Sequence, residues 1–237
     1  MQLPFFYIAS IQPGNSDIVL DEDNSRHAVS VLRMQAGAAL HLTDGKGHLL
    51  TATIIDPHKK RCRLAVSTVL VSPAPARKTA IGISLVKNAV RFEWFLEKAA
   101  EIGINEIFPL LCNRTEKQHF RADRMHNVLV SALLQSRQTW LPVLHPPLKF
   151  DLMLAADTYG QKFIAHCMET DKKNLHPQII DATKNQLVLI GPEGDFTEGE
   201  IGLALEQGCI PVSLGTTRLR TETAGLFAAV VLQNAFP

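Results

Sequence analysis

Residues 187–201 read LVLIGPEGDFTEGEI, an apolar run that stops at Gly191 and passes through Pro192, Glu193, Gly194 and Asp195 before turning amphipathic. Thr197 and Glu200 form a T-x-x-E capping box, and Phe196 and Ile201 stand at the two hydrophobic-staple positions, so the pattern predicts a helix capped by Thr197. The loop from Gly191 to Asp195 is then clamped between a buried strand and a fixed helix start, with glycines on both sides of Pro192 and Glu193 to free the backbone. Ligands of open α/β sheets bind at strand ends of this kind. A tight strand-to-helix turn without a ligand is the other reading. No GxxxxGK[ST] is present, and Gly191 and Gly194 do not fit GxGxxG, so phosphate loops are excluded. Backbone groups without a lysine suit a neutral or cationic ligand better than a triphosphate.

Downstream, SLGTTRLRTETAGLFAAVVLQ ends a strand at Leu214, passes Gly215 and carries Arg218, Arg220 and Glu222 into an apolar helix. Two strand ends that both carry polar loops predict a shared crevice. The alternative is that the two arginines are solvated and paired with Glu222.

Toward the N-terminus the strand and helix alternation continues. AIGISLV (80–86) and EIFPLLC (106–112) read as strands around a helix from Arg91 to Ile102, whose Phe92, Phe95, Leu96, Ala99 and Ile102 share one face and which stops at Gly103. A further helix is expected over about 121–137 and a strand over about 162–168. This is the order of a parallel α/β sheet. Lys87, Arg91, Arg114 and Thr115 fall near strand ends, and Gln135, Ser136, Arg137 and Trp140 follow the next helix. Glu93, Glu97 and Glu101 make a solvated or partner-facing stripe.

Before the Pro-rich stretch SPAPARK (72–78) the pattern differs. FFYIA, ALHLT, HLLTATII and RCRLAVSTVLV are short apolar or alternating runs separated by turns, one of them Asp44–Gly47. A small closed β-unit is expected over residues 1–71, interrupted by a helical piece in DNSRHAVSVLRMQAG, and an α/β domain over 79–237.

The 237 residues are 46% hydrophobic and 20% charged with a net charge of +1, so no global field selects a partner and any nucleic acid must be held by local basic patches. The four cysteines lie far apart without CxxC or zinc spacing and read as reduced, mostly buried residues. No metal site, membrane span or secretory leader is expected, and the protein reads as soluble and cytoplasmic. Neither GxSxG nor a cysteine with a plausible nearby histidine is present.

Together GPEGDFT after a strand, LG before a loop and LRTETA opening the last helix resemble the RsmE family of 16S ribosomal RNA uridine N3-methyltransferases, a branch of the SPOUT superfamily. RFEWFLEKAAEIGI, NRT, RHAVSVLRMQAG and TDGKG also match, so the resemblance runs from about residue 26 to 224. It implies a PUA-like β-barrel that binds RNA, then a homodimeric α/β domain with a C-terminal trefoil knot that holds S-adenosylmethionine. Carried over position by position, the cofactor contacts are Ile190, Gly191, Pro192, Glu193, Gly194, Leu214, Gly215, Leu219, Arg220 and Thr221. The implied substrate is 16S rRNA within the small ribosomal subunit. Four positions depart from the family: Asp195 for glycine, Thr217 for arginine, Leu134 for an acid and Gln138 for arginine.

Methyl transfer to uracil N3 needs the N3 proton removed and an in-line approach. An arginine would stabilise the charge spread onto the carbonyl oxygens, and Arg220 and Arg114 are the candidates. Glu222 either orders Arg220, takes the proton, or only favours the helix N-terminus. Arg26, His27, Arg33, Arg61 and Arg63 are candidate RNA contacts. Another RNA uridine or ribose, or a silent RNA-binding role, are the alternative functions.

Overall fold

Every residue of Gln186–Ile190 and of Thr79–Ser84 is buried, and the two strands pair in parallel with Ile190 opposite Ile83. Apolar runs without alternation are what a strand covered on both faces requires. The computed structural model describes residues 2–11, 14, 16–116, 118–155, 158–169 and 171–235. The chain divides into two units, Met1–Ala74 with Leu133–Leu141, and Pro75–Ala132 with Pro142–Pro237.

The first unit contains β1 (Phe5–Tyr7), β2 (Asp17–Val19), α1 (Glu22–Arg26), β3 (Ala39–Thr43), β4 (His48–Asp56) and β5 (Arg63–Val71). They pair in the order β1-β3-β4-β5-β2, with β1 parallel to β3 and the other pairs antiparallel. Helix α1 is capped by Asp21, whose Oδ1 accepts the Asn24 amide at 2.8 Å, and runs into a π-helical turn over His27–Val31. The helical piece expected up to Gly37 therefore ends early, and Arg33 takes a left-handed φ of 55°. The core is formed by Phe6, Leu20, Leu40, Leu42, Leu50, Ile54 and Leu64 with their neighbours.

Residues 133–141 belong to this unit although they follow it by some sixty positions in sequence. The Gly47 amide donates to the Thr139 carbonyl and the Leu141 amide to the Gly45 carbonyl, both at 2.8 Å. Trp140 Nε1 donates to the Pro73 carbonyl at 3.1 Å. A Cβ on Gly47 would stand 2.6 Å from the Trp140 ring, and φ is positive at both Gly45 and Gly47. The turn expected at Asp44–Gly47 is thus also a seat for Trp140.

From residue 75 the chain passes through β6 (Thr79–Ser84), α2 (Ala89–Ile102), β7 (Glu106–Leu111), α3 (Ala122–Ser136, whose residues from 133 on belong to the first unit), β8 (Val143–Leu144), β9 (Leu148–Lys149), α4 (Phe150–Leu154) and β10 (Gln161–Ala165). It ends through β11 (Lys173–Asn174), β12 (Gln186–Ile190), α5 (Glu198–Glu206), β13 (Ile210–Ser213) and α6 (Thr221–Asn234). The sheet is ordered β11-β13-β10-β12-β6-β7-β8, with β9 also on β7, and every pair is parallel. All strand C-termini therefore open on one edge.

Helix α2 starts where Asn88 Oδ1 accepts the Val90 amide at 3.0 Å and stops at Gly103, whose φ of 90° is left-handed. It buries Phe92, Phe95, Leu96, Ala99 and Ala100. Helix α6 packs on α2 and β6, and Gly225 makes the approach possible: a Cβ there would stand 2.7 Å from Ile83 and 2.8 Å from Phe95. Truncating Phe95 to alanine in such a site costs about 3–5 kcal/mol.

The carboxylate stripe on α2 is not a free edge. Glu93 is held by Arg124, with Nη2 to Oε2 at 2.8 Å, while Glu97 and Glu101 both bind Lys98.

Candidate functional site

Helix α5 begins as its sequence predicts. The Thr197 amide donates to Glu200 Oε2 at 2.8 Å, and Thr197 Oγ1 accepts the Glu200 amide at 3.3 Å. Phe196 and Ile201 are buried, and the Phe196 ring lies 4.9 Å from that of Phe150. Glu200 reaches further: its Oε1 accepts the Asn113 amide at 2.8 Å and so ties the loop after β7 to the helix start.

The loop from Gly191 to Asp195 is gripped from four sides. Thr221 Oγ1, at the start of α6, donates to the Gly191 carbonyl at 3.0 Å. Arg114 Nη1 donates to the Gly194 carbonyl at 2.7 Å and to that of Phe196 at 3.4 Å. The Lys87 amide, after β6, donates to Glu193 Oε1 at 3.2 Å. The Cys167 amide, after β10, donates to Asp195 Oδ2 at 2.8 Å. Asp195 has a φ of 64°, the conformation in which glycine is ordinarily preferred, and its Oδ1 accepts the Phe196 amide at 2.9 Å. Asp195, where the resemblance implies glycine, adopts a glycine's conformation and adds a tie between two loops.

Two adjoining cavities open beside this loop. One, of about 440 Å³, is lined by Ile190, Leu214, Gly215 and Leu219 and by the strand end Ala165–Cys167 with Lys172. The other, of about 360 Å³, is lined by Gly191, Pro192, Glu193, Asp195, Arg220 and Thr221. Ala165, Cys167, Ile190, Arg218, Leu219 and Ala224 border both. The structure thus brings Ile190, Gly191, Pro192, Glu193, Leu214, Gly215, Leu219, Arg220 and Thr221 into one cleft. Gly194 does not line it; its place is against Arg114, whose Cδ would lie 3.4 Å from an added Cβ. A third cavity, of about 590 Å³, lies by Asn113, Lys149 and Glu200.

The strand end Ala165–Cys167 has no counterpart in the expected site. KFIAHCM was legible as a strand, but only the order β13-β10-β12 puts its C-terminus between the other two loops.

The candidate catalytic residues separate. Arg220 is exposed and borders the smaller cavity. Arg114 is also exposed, with Nη1 engaged by two loop carbonyls. Glu222 is 6% exposed and does not contact Arg220; its Oε1 lies 3.7 Å from Arg91 Nε, and its Oε2 is buried without a partner among the described residues. The arrangement expected between Glu222 and Arg220 or Arg218 gives way to Arg91 because the first turn of α6 packs toward the start of α2.

In the first unit, Arg26 bonds Asp23 at 3.1 Å and Arg63 bonds Asp17 at 3.3 Å, while His27 sets its ring edge-on to Phe6. Arg33 and Arg61 are exposed, and neither forms a salt bridge among the described residues. Among the described residues no group of three or more His, Cys, Asp or Glu side chains could hold a metal, and no helix is long and apolar enough to cross a membrane.

Known proteins match on both units. A family model described as RNA methyltransferase domain matches residues 73–233, and one described as RNA methyltransferase PUA domain matches residues 20–67. Ribosomal RNA small subunit methyltransferase E of Mesomycoplasma hyopneumoniae is 30% identical over 159 residues, 65% of this chain and 68% of that one. The crystal structure of a probable rRNA-methyltransferase from Porphyromonas gingivalis has a TM-score of 0.88 at 35% identity, covering 96% of this chain and 95% of that one. The ribosomal RNA small subunit methyltransferase E of Neisseria gonorrhoeae, crystallised bound to S-adenosyl methionine, has a TM-score of 0.84 at 28% identity, covering 98% and 97%. With the glycine-and-proline loop, the arginine-bearing helix start and the preceding β-unit all in place, the chain belongs to the ribosomal RNA small subunit methyltransferase E family of RNA methyltransferases.

Proposed function

We propose that this protein methylates N3 of a specific uridine in 16S rRNA of the small ribosomal subunit, with S-adenosylmethionine as donor. The observation that carries the reading is the cleft itself, where the loops after β10, β12 and β13 meet in two adjoining cavities without a phosphate-binding lysine motif. Its residues suit an adenosyl sulfonium. Ile190, Leu214 and Leu219 offer apolar walls to a flat ring, while the neighbouring cavity sets the carboxylates of Glu193 and Asp195 beside Arg218 and Arg220, a mixed lining that suits a zwitterionic amino-acid end.

When bound, S-adenosylmethionine supplies an electrophilic methyl on a positively charged sulfur. The chain's own residues then have to position the uracil and remove the N3 proton. The four-sided grip on residues 191–195 fixes one wall of the cleft before any ligand enters, so little ordering is left for binding. Arg220, exposed at the mouth, is placed to stabilise the charge that deprotonated N3 spreads onto its carbonyl oxygens. Arg114 acts through the loop, which makes it a positioning residue. The N3 edge is the Watson–Crick edge, so a paired target has to be exposed or flipped first.

Arg33 and Arg61, with Arg26, His27 and Arg63, are proposed RNA contacts of the PUA unit. A homodimer is supported by the face that packed helices α2 and α6 leave exposed, where Val90, Trp94, Phe227 and Val230 stand at helical spacing. A knotted path is supported by the chain's course: from β12 it crosses back to β13 beyond β10, then returns to lay α6 on β6. Action on ribosomal subunits supports a cytoplasmic location.

The test incubates the protein and labelled S-adenosylmethionine with small subunits from a strain lacking the endogenous activity, then maps the methyl group by nucleoside mass spectrometry. Label on N3 of uridine is expected; label on ribose, or on transfer RNA alone, would overturn the reading. Arg220→Ala should lower turnover more than cofactor affinity, and equal loss in both would make Arg220 a cofactor residue.

A further inference from the structure

The third cavity, of about 590 Å³, is larger than either half of the cofactor cleft and shares no lining residue with it. Its walls are the end of β7, the start of α4 and the first two turns of α5. Leu111 and Lys149, which border it, are paired neighbours at the carboxyl ends of the parallel strands β7 and β9. The cavity therefore opens on the same edge of the sheet as the cleft. One loop joins the two: Asn113 borders the cavity, and the next residue, Arg114, holds the Gly194 carbonyl of the cofactor loop.

The lining has two characters. Phe150 is buried and Leu111 and Leu203 half-buried, an apolar floor, while Asn113, Gln118, Lys149 and Asp151 are exposed around it. The side chains of Gln118, Lys149 and Asp151 have no hydrogen-bond or ion-pair partner among the described residues. Asn113 turns its Nδ2 to Thr197 Oγ1 at 3.4 Å, which leaves its Oδ1 to accept. The Glu200 carboxylate is already engaged by the Asn113 and Thr197 amides. An apolar floor ringed by hydrogen-bonding groups fits a flat heterocycle, and an ammonium at the rim fits a phosphate attached to it. Acceptors on Asp151 and Asn113 favour a base with an exocyclic amino group, which uracil lacks.

We propose that this cavity receives one unpaired nucleotide of the rRNA near the target uridine, its base amino group on Asp151 and Asn113 and its phosphate on Lys149. This rests on the RNA-methyltransferase reading above and adds to it a second seat for the substrate. Extruding a target uridine disturbs the stack around it, and seating a neighbouring base offsets part of that cost.

A titration on the unaltered protein tests the pocket by itself. With the cofactor cleft filled by saturating S-adenosylhomocysteine, AMP, CMP, GMP and UMP are added while NMR follows the backbone amides of Gly199 and Asn113. Saturable shifts are expected with the three amino-bearing nucleotides, and binding of UMP weaker by at least about fivefold. Asp151→Asn is expected to narrow that gap. Unmoved amides, or equal binding of all four nucleotides, would overturn the proposal.

Methyl transfer to small subunits tests its use. A Cβ on Gly199 would meet no atom within 4 Å, so Gly199→Phe can place its ring in the cavity without displacing the chain. The variant is expected to raise KM for subunits about tenfold, the worth of one seated base, with kcat and S-adenosylhomocysteine affinity unchanged. Lys149→Ala is expected to raise KM less and to lower the slope of log affinity against log salt by about one. An unchanged KM in a folded Gly199→Phe, or a loss confined to S-adenosylhomocysteine affinity, would overturn the proposal. If Gly199→Phe does not fold, Lys149→Ala and the titration decide. A wild-type protein that methylates no small subunit would bring down the uridine reading, while the titration still decides the pocket.

Discussion

Asp195 Oδ2 accepts the backbone amide of Cys167 at 2.8 Å, joining the loop after β12 to the loop after β10. With Oδ1 on the Phe196 amide and φ at 64°, the side chain holds a left-handed turn and a cross-tie together. Asp195→Ala loses both bonds and keeps the unfavourable φ, for a loss of about 2–3 kcal/mol. Asp195→Gly loses the bonds but not the conformation and should be more stable than the alanine variant by about 1 kcal/mol. Urea unfolding of the two variants decides this; an alanine variant as stable as the glycine one would show that φ costs nothing there.

The two glycines of the loop should behave differently. A Cβ on Gly191 would meet the Phe196 ring at 3.0 Å and its backbone nitrogen at 3.1 Å, so Gly191→Ala has to displace buried groups and should cost about 1–3 kcal/mol. On Gly194 the nearest atom is 3.4 Å away in the flexible Arg114 side chain, and alanine should change stability by no more than about 0.5 kcal/mol. Thermal melts of the pair give the comparison, and the reverse order would mean the loop is held otherwise.

Cys167 is exposed and borders both cavities, whereas Cys112 and Cys209 are buried, with thiols pushed by burial up to about 12 and about 11. Iodoacetamide at neutral pH should modify Cys167 first and leave those two unmodified in the folded protein. Saturating S-adenosylhomocysteine should slow the reaction at Cys167 severalfold, read by peptide mass spectrometry. Unchanged labelling would place the ligand elsewhere.

Glu222 pairs with Arg91 across 3.7 Å, the place of a structural carboxylate. Glu222→Gln should leave kcat within about twofold and stability unchanged or slightly raised, since it removes a buried charge whose second oxygen is unmatched. Arg91→Ala, which strands that charge, should cost about 1–2 kcal/mol, a half-exposed partner being worth less than a buried one. A fall in kcat of about 100-fold or more in Glu222→Gln would instead assign it the N3 proton.

At the opposite edge of the sheet, Glu106 is buried against Lys78 Nζ at 2.6 Å, Tyr159 Oη at 2.9 Å and His145 Nε2 at 3.3 Å. Burial works to raise its pKa, but the Lys78, Tyr159 and His145 hydrogen bonds outweigh it and hold the carboxyl below the ordinary value. A lowered folded value means stability that is present above the unfolded pKa and lost as pH falls through the folded one. Glu106→Gln should therefore be less stable by about 1–3 kcal/mol at pH 7, with the gap closing below about pH 4. A gap independent of pH would exclude the charge as its origin.

The motif-bearing loops were legible because their demands are local. A capping box, a staple and a left-handed Gly103 are decided within a few residues, and α5 and α2 stand where those signals put them. The third wall of the cleft was not legible, because the neighbours of β10 follow from strand order, which no local pattern encodes. Asp195 could be seen as a departure from the family's glycine, but its partner, the Cys167 amide, lies 28 positions away. The pairing of Glu222 with Arg91 was hidden in the same way, with nearer arginines at 218 and 220 competing on paper.

Trp140 sits on Gly47, and the segment 133–141 completes a unit whose other residues end at Ala74. During synthesis that first unit emerges long before its last piece. It has to wait, with the seat for Trp140 open, while β6, α2, β7 and most of α3 are still being made. Protease protection of stalled nascent chains should therefore rise once residue 141 has cleared the ribosome and not at residue 74.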